Sequence, residues 1–105
     1  MKIIHKNNDL VFELELYDSD NQLINIDGLK GVDIELFTLI TKEENYIKLN
    51  KQDITDNKIM VDNSQLQKLE EGILYIVVHL TFYNSSFPDG SYDYTQKLET
   101  NYYIQ

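Results

Sequence analysis

His5 and His79 are the only side chains in this sequence whose ordinary titration suits proton transfer near neutral pH, and neither has a partner at a useful spacing. A helical metal site needs a second His four residues away, and a hydrolytic site needs a nucleophile and an orienting group beside its base. His79 alternates with Val78 and Leu80, which places it with Tyr75, Val77 and Thr81 and reads as a sheet-face histidine. His5 reads as a solvated strand residue. Asp18-Ser19-Asp20-Asn21-Gln22 spaces its acids as a calcium loop does, but the sixth position is Leu23 instead of glycine and the twelfth is Leu29 instead of glutamate. It therefore reads as a turn, as does Asp89-Gly90. Asn84-Ser85-Ser86 matches a glycosylation sequon, a chance match in a chain whose start turns polar too soon for a signal peptide. The residues predict no enzyme, no metal and no cofactor.

The tyrosines are more informative. Tyr75 and Tyr83 fall on the apolar run Gly72-Ile73-Leu74-Tyr75-Ile76-Val77-Val78-His79-Leu80-Thr81-Phe82-Tyr83, and Tyr92, Tyr94, Tyr102 and Tyr103 on the stretch that returns beside it. Tyrosine is enriched at interfaces because its rigid apolar ring carries a polar tip. Cross-strand packing without any partner explains the same residues equally well. The candidate interface is Tyr75, Val77, His79, Tyr83, Tyr92, Tyr94 and Tyr103, since a merely solvated face would carry more charge. A sugar platform is the lesser alternative.

These residues need strands to position them. The run at 72–83 is the longest and most β-prone in the chain and predicts a central strand, with Leu74, Ile76, Val78, Leu80 and Phe82 facing the core. Residues 2–5 predict a short edge strand. Residues 10–17 alternate with period two, followed by the Asp18 turn and a short strand at 22–26. Val32, Ile34 and Leu36 resume the alternation, and a bulge at Phe37 would account for the slip that follows. A polar tip at 41–45, short strands at 46–50 and 58–62, and a polar connection at 51–57 come next. One helix is predicted at 64–72, capped by Asn63 or Ser64, with Leu66 and Leu69 docked on the sheet and Gly72 at the left-handed position past its end. Residues 91–105 close a hairpin with the central strand. About seven short strands with frequent turns predict an all-β fold, an immunoglobulin-like antiparallel β-sandwich forming a single domain over residues 1–105.

Composition narrows the partners. Eighteen acidic and nine basic residues give a formal net charge of −9, which repels phosphate backbones and predicts no nucleic-acid partner. Cysteine is absent, so no disulfide framework or thiolate zinc site can form, as suits a chain made and used in a cytoplasm. The apolar run falls short of the ~20 residues that span a bilayer, and no membrane association is expected.

Leu69-Glu70-Glu71-Gly72-Ile73-Leu74-Tyr75, then Phe87-Pro88-Asp89-Gly90 and a closing strand, resemble small all-β phage virion modules. The opening strand, the Asp18–Asn21 turn and the stretch Leu23 to Gly28 are similar to N-terminal domains of baseplate upper proteins, and like modules occur as auxiliary capsid or head-fibre proteins of crAss-like phages. The resemblance implies a non-enzymatic structural protein of the virion, assembled in the host cytoplasm, whose partners are other virion proteins or further copies of itself. It carries no catalytic residues. Nothing follows residue 105 here, which favours a decoration or adaptor role over an adhesin. A free-standing binding module, for a carbohydrate or as an acidic inhibitor, is the alternative.

Overall fold

The apolar run forms a strand, Gly72–Tyr83 (β7 in chain order), and its two faces separate cleanly. Leu74, Ile76, Val78 and Leu80 are buried, while Tyr75, Val77, His79 and Thr81 on the opposite face are half-buried. The computed structural model describes residues 1–38 and 46–105. The strand end expected at 39–40 and the polar tip at 41–45 lie outside the described residues.

Pairing on both sides places β7 at the centre of a five-stranded sheet ordered β1-β8-β7-β3-β4. β3 (Gly31–Phe37) runs antiparallel to it, and β8 (Ser91–Ile104) is the expected hairpin partner. β1 (Lys2–Ile4) adds in parallel to the end of β8, and β4 (Ile47–Asn50) forms the far edge. A second sheet of three strands, ordered β2-β6-β5, contains β2 (Leu10–Glu13), β6 (Lys58–Val61) and β5 (Ile54–Thr55). One cluster of buried apolar side chains joins the sheets, with Leu10, Ile59 and Val61 from the small sheet meeting Ile34, Leu36 and Ile76 from the large one. The all-β, sandwich-like architecture expected from the alternation is present.

Several elements differ from expectation, each for a local reason. The ladder predicted over 10–17 stops at Glu13, because its partner strand begins at Lys58 and the chain turns there. Leu14 and Leu16 stay buried, so the alternation of burial outlasts the ladder. No strand forms at 22–26. Leu23 makes only a single bridge to Tyr17, and Ile26–Gly28 form a 3-10 turn capped by the Asn25 side chain. No bulge occurs at Phe37, where the β3–β7 register runs unbroken to Tyr75. The apparent slip arises because Phe37 is an outward residue that is buried all the same.

The irregularity lies instead between β7 and β8. Ile73 faces Tyr103 and Tyr75 faces Glu99, so Leu74 stands against Thr100, Asn101 and Tyr102. The Thr100 hydroxyl fills this gap, donating to the Leu74 carbonyl at 2.7 Å and accepting the Tyr102 N–H at 3.2 Å. An even number of extra residues preserves the alternation, and Ile104 still reaches the core.

The expected helix at 64–72 contracts to α1, Asn63–Leu66, whose cap is Asp62 in place of Asn63 or Ser64. Asp62 accepts the Gln65 N–H and Gln65 returns the bond to the Asp62 N–H, a capping box. Leu66 and Leu69 dock in the core as expected. Gly72 is not a helix terminus; it opens β7 at a φ of +152°.

The polar connection at 51–57 conceals β5 and a two-residue hairpin. Asp56 and Asn57 adopt φ of 53° and 60°, the left-handed pair of a type I′ turn, which suits the twist of the flanking strands. Asn57 then ties three segments together. Its Oδ1 accepts the Ile26 N–H at 3.0 Å, its Nδ2 donates to the Ile24 carbonyl at 2.8 Å, and its own carbonyl accepts the Leu14 N–H at 2.7 Å.

Asn57→Gly keeps the turn but strands a buried N–H and a carbonyl, and should cost about 3 kcal/mol in urea unfolding; Asn57→Ala should cost about 1 kcal/mol more through left-handed strain. The hydrogen bonds from Ser64 and Gln65 hold the Asp62 carboxyl below its usual range. A depressed folded-state pKa stabilises above the unfolded value and is lost as pH falls through the folded one. Asp62→Ala should therefore lower the melting temperature at neutral pH, and the difference from the parent should shrink in acid below the carboxylate range.

Candidate binding surface

The seven candidate interface residues do not form one surface. Cross-strand partners share a face, so Tyr75, Val77, His79 and Tyr83 lie on the outer face of the large sheet, with Tyr103 opposite Ile73. Tyr92 and Tyr94 pair with Phe82 and Leu80 and therefore lie on the inner face. The alternation of β7 predicted its own faces, but the faces of β8 required the register.

Toward the start of β7, the outer face closes on itself. The Phe37 ring stacks on Tyr46 at 4.7 Å and on Tyr75 at 5.8 Å between centroids. The Lys97 ammonium lies 5.5 Å from the Phe37 centroid and 5.4 Å from that of Tyr75. Phe37 is only 2% exposed as a result, although it points away from the core. Tyr75 thus has an intramolecular role as cross-strand packing.

His79 stands between Asp33 and Thr95 on the same face, with its Nδ1 3.0 Å from the Thr95 hydroxyl. This pair sits on an open sheet face, and among the described residues no carboxylate is hydrogen-bonded to the ring, an arrangement that can position a polar group. Among the described residues, no group of three His, Asp or Glu side chains could hold a metal ion. The Asp18 carboxylate is committed to its own turn, accepting the N–H groups of Asp20 at 2.9 Å and Gln22 at 3.0 Å.

A concave surface lies at the other end of the hairpin. Tyr17, Ile24, Phe82, Tyr83, Tyr92 and Tyr94 line a cleft of about 480 Å³, bounded by Asp18, Ser19 and Asn84. The connection from β2 to β3 supplies one wall and the end of the β7–β8 hairpin the other. The bridge from Tyr17 to Leu23 and the Asp18 turn fix the first wall. On the second, Phe82 and Phe87 pack against Tyr92 at 6.1 and 5.6 Å, and Lys30 donates to the Ser91 hydroxyl. Tyr83 is 71% exposed, Tyr17 58% and Tyr92 42%, so each of these side chains remains open to solvent in part. Tyr17 and Ile24 line this surface and escaped sequence reasoning; for Tyr17 the signal was an aromatic beside the Asp18 turn.

No known family model, curated protein or solved structure matches this chain. No helix among the described residues is long and apolar enough to cross a membrane.

The two aromatic groups should respond differently to truncation. Phe37→Ala removes a buried ring and should cost about 3 kcal/mol in chemical denaturation. Tyr83→Ala should cost less than about 1 kcal/mol, since surface substitutions act weakly on stability.

Proposed function

We propose that this chain is a non-enzymatic docking module that sits on a phage particle as an auxiliary head, fibre or baseplate protein and seats a partner protein in its aromatic cleft. The observation that carries the docking reading is the cleft itself, where tyrosine and phenylalanine rings are held by hairpin and turn yet left open to solvent. Binding energy concentrates on such rigid aromatic anchors, because little side-chain entropy is lost when they are covered. The virion setting rests on the resemblance of the Leu69–Tyr75 and Phe87–Gly90 stretches to virion modules.

We read the fold as immunoglobulin-like. The order β2-β6-β5 facing β8-β7-β3-β4 follows the B-E-D and G-F-C-C′ orders of that architecture. On that reading, the cleft lies between the connections equivalent to B–C and F–G, the end at which variable domains of that fold bind. The alternative is a free-standing carbohydrate binder, favoured by tyrosine rings next to Ser19 and Asn84, which suit stacking on a sugar ring and bonding its hydroxyls.

Mass spectrometry of purified particles should find the protein at fixed stoichiometry with the capsid or tail proteins. Abundance in infected cells with absence from particles would overturn the virion reading. A Tyr17→Ala/Tyr83→Ala double variant should incorporate at least about tenfold less while melting like the parent. A specific glycan-array hit lost in the same variant, with incorporation unchanged, would favour the carbohydrate reading.

A further inference from the structure

The edge of β8 is open for most of its length. β1 covers it only at Tyr102, Tyr103 and Ile104, and among the described residues no other strand pairs there. Which backbone groups are unpaired follows from the hairpin. The Asn84 N–H donates to the Gly90 carbonyl, so by antiparallel alternation Tyr92, Tyr94, Gln96 and Leu98 turn their N–H and C=O groups toward β7. Asp93, Thr95, Lys97 and Glu99 turn theirs outward. Beyond the irregularity the same edge is used: the Gln105 N–H donates to Ile4 and its carbonyl accepts from Lys6.

This edge borders two apolar hollows. The aromatic cleft is lined by Tyr92 and Tyr94, and a second groove of about 340 Å³ runs beside Leu98 and Tyr102 against Phe12 of the small sheet and Leu14 just past its end. Tyr94 and Leu98 lie on one face of β8, about 14 Å apart at strand spacing. An added strand would place alternate side chains over these two hollows, its other side chains lying on the outer face. The surroundings of the edge are acidic, with Glu13, Glu15 and Glu99 around the second groove and Asp93 beyond the first. The lone basic residue on this length of β8, Lys97, is engaged over Phe37 and Tyr75.

We propose that the open edge of β8 takes up an extended segment of a partner protein as an added strand, with apolar side chains in the two hollows alternating with basic side chains. Backbone bonds to Asp93, Thr95, Lys97 and Glu99 supply affinity, and the hollows and surrounding acids supply selectivity. This inference rests on the docking reading and names the chemistry of its partner.

The test is nuclear magnetic resonance on the full chain, titrated with a blocked peptide of about ten residues alternating lysine and valine. Amide exchange at Asp93, Thr95, Lys97 and Glu99 should slow, while Tyr94, Gln96 and Leu98, already bonded to β7, stay unchanged. A glutamate–valine peptide should bind at least about tenfold more weakly, and so should the lysine–valine peptide methylated on alternate backbone nitrogens, which leaves the protein unaltered. Thr95→Pro, which removes an outward N–H together with the hydroxyl facing His79, should weaken binding similarly without unfolding the sheet, whereas Thr95→Val, which removes the hydroxyl alone, should leave binding unchanged. Shifts confined to Tyr17, Phe82 and Tyr92, with the edge amides unprotected, would overturn strand addition and leave cleft docking standing. Failure of the peptide to bind at millimolar concentration would overturn it too. So would a dimer whose outward amides are already protected without peptide, since the edge would then pair with a second copy.

Discussion

A mismatch in strand length governs this structure. β7 and β8 are 12 and 14 residues long, whereas the strands of the opposing sheet have 4, 4 and 2. At about 3.3 Å per residue, the hairpin runs some 40 Å and the small sheet at most about 13 Å. The hairpin accounts for most of the molecule's 45 Å long axis, and the small sheet covers only part of its inner face. The rest must be covered by non-strand chain or remain open. At one end, α1 and the turn after it supply Leu66 and Leu69. At the other, the β2–β3 connection supplies Ile24, Ile26 and Leu29 but stops short of Tyr92 and Tyr94, and the aromatic cleft is what remains.

Covering a sheet with irregular chain is costly unless its backbone polar groups find partners. Asn57 supplies them at the critical place. From a tight turn of the small sheet it bonds Leu14, Ile24 and Ile26, the segments that carry apolar side chains over the overhang. Asp18 does the same on a smaller scale through its own backbone, and Asn25 and Asp62 cap the short helical turns. The side-chain amides and carboxylates of these turns therefore act chiefly on backbone geometry, and the acidic composition of the chain is partly a requirement of its turns.

The outer face of the large sheet follows a different rule. Burial there requires the large sheet's own side chains to cover one another, and Phe37 reaches 2% exposure beneath Tyr46, Tyr75 and Lys97. Farther along, Asp93 and His79 engage Thr81 and Thr95 in polar cross-strand contacts. The tyrosines of this chain thus divide between those that complete a sheet face and those left open beside a cleft, although their residue type and spacing are alike.

The amino-acid sequence by itself determined the β class, the identity and two faces of the central strand, its hairpin with β8, the docking of Leu66 and Leu69 and the turn at Asp18. Each left a local mark, namely the period-two alternation of Leu74 to Leu80, the turn formers between 84 and 90, the three-residue spacing of Leu66 and Leu69, and the hydrogen bonds of short polar side chains. Only the tertiary structure decided that Phe37 is outward without a bulge, that β2 ends at Glu13, that Asp56-Asn57 closes a hairpin and that Tyr92 and Tyr94 leave the face of Tyr75. Each of these is set by what stands opposite: the strand across from Phe37, the turn that removes the partner of Leu14, the register of β8, and the length of a second sheet too short to cover the first. Alternation assigns the side chains of one strand to two faces, but which face meets the other sheet, and how far along it is covered, depends on contacts made across the whole chain.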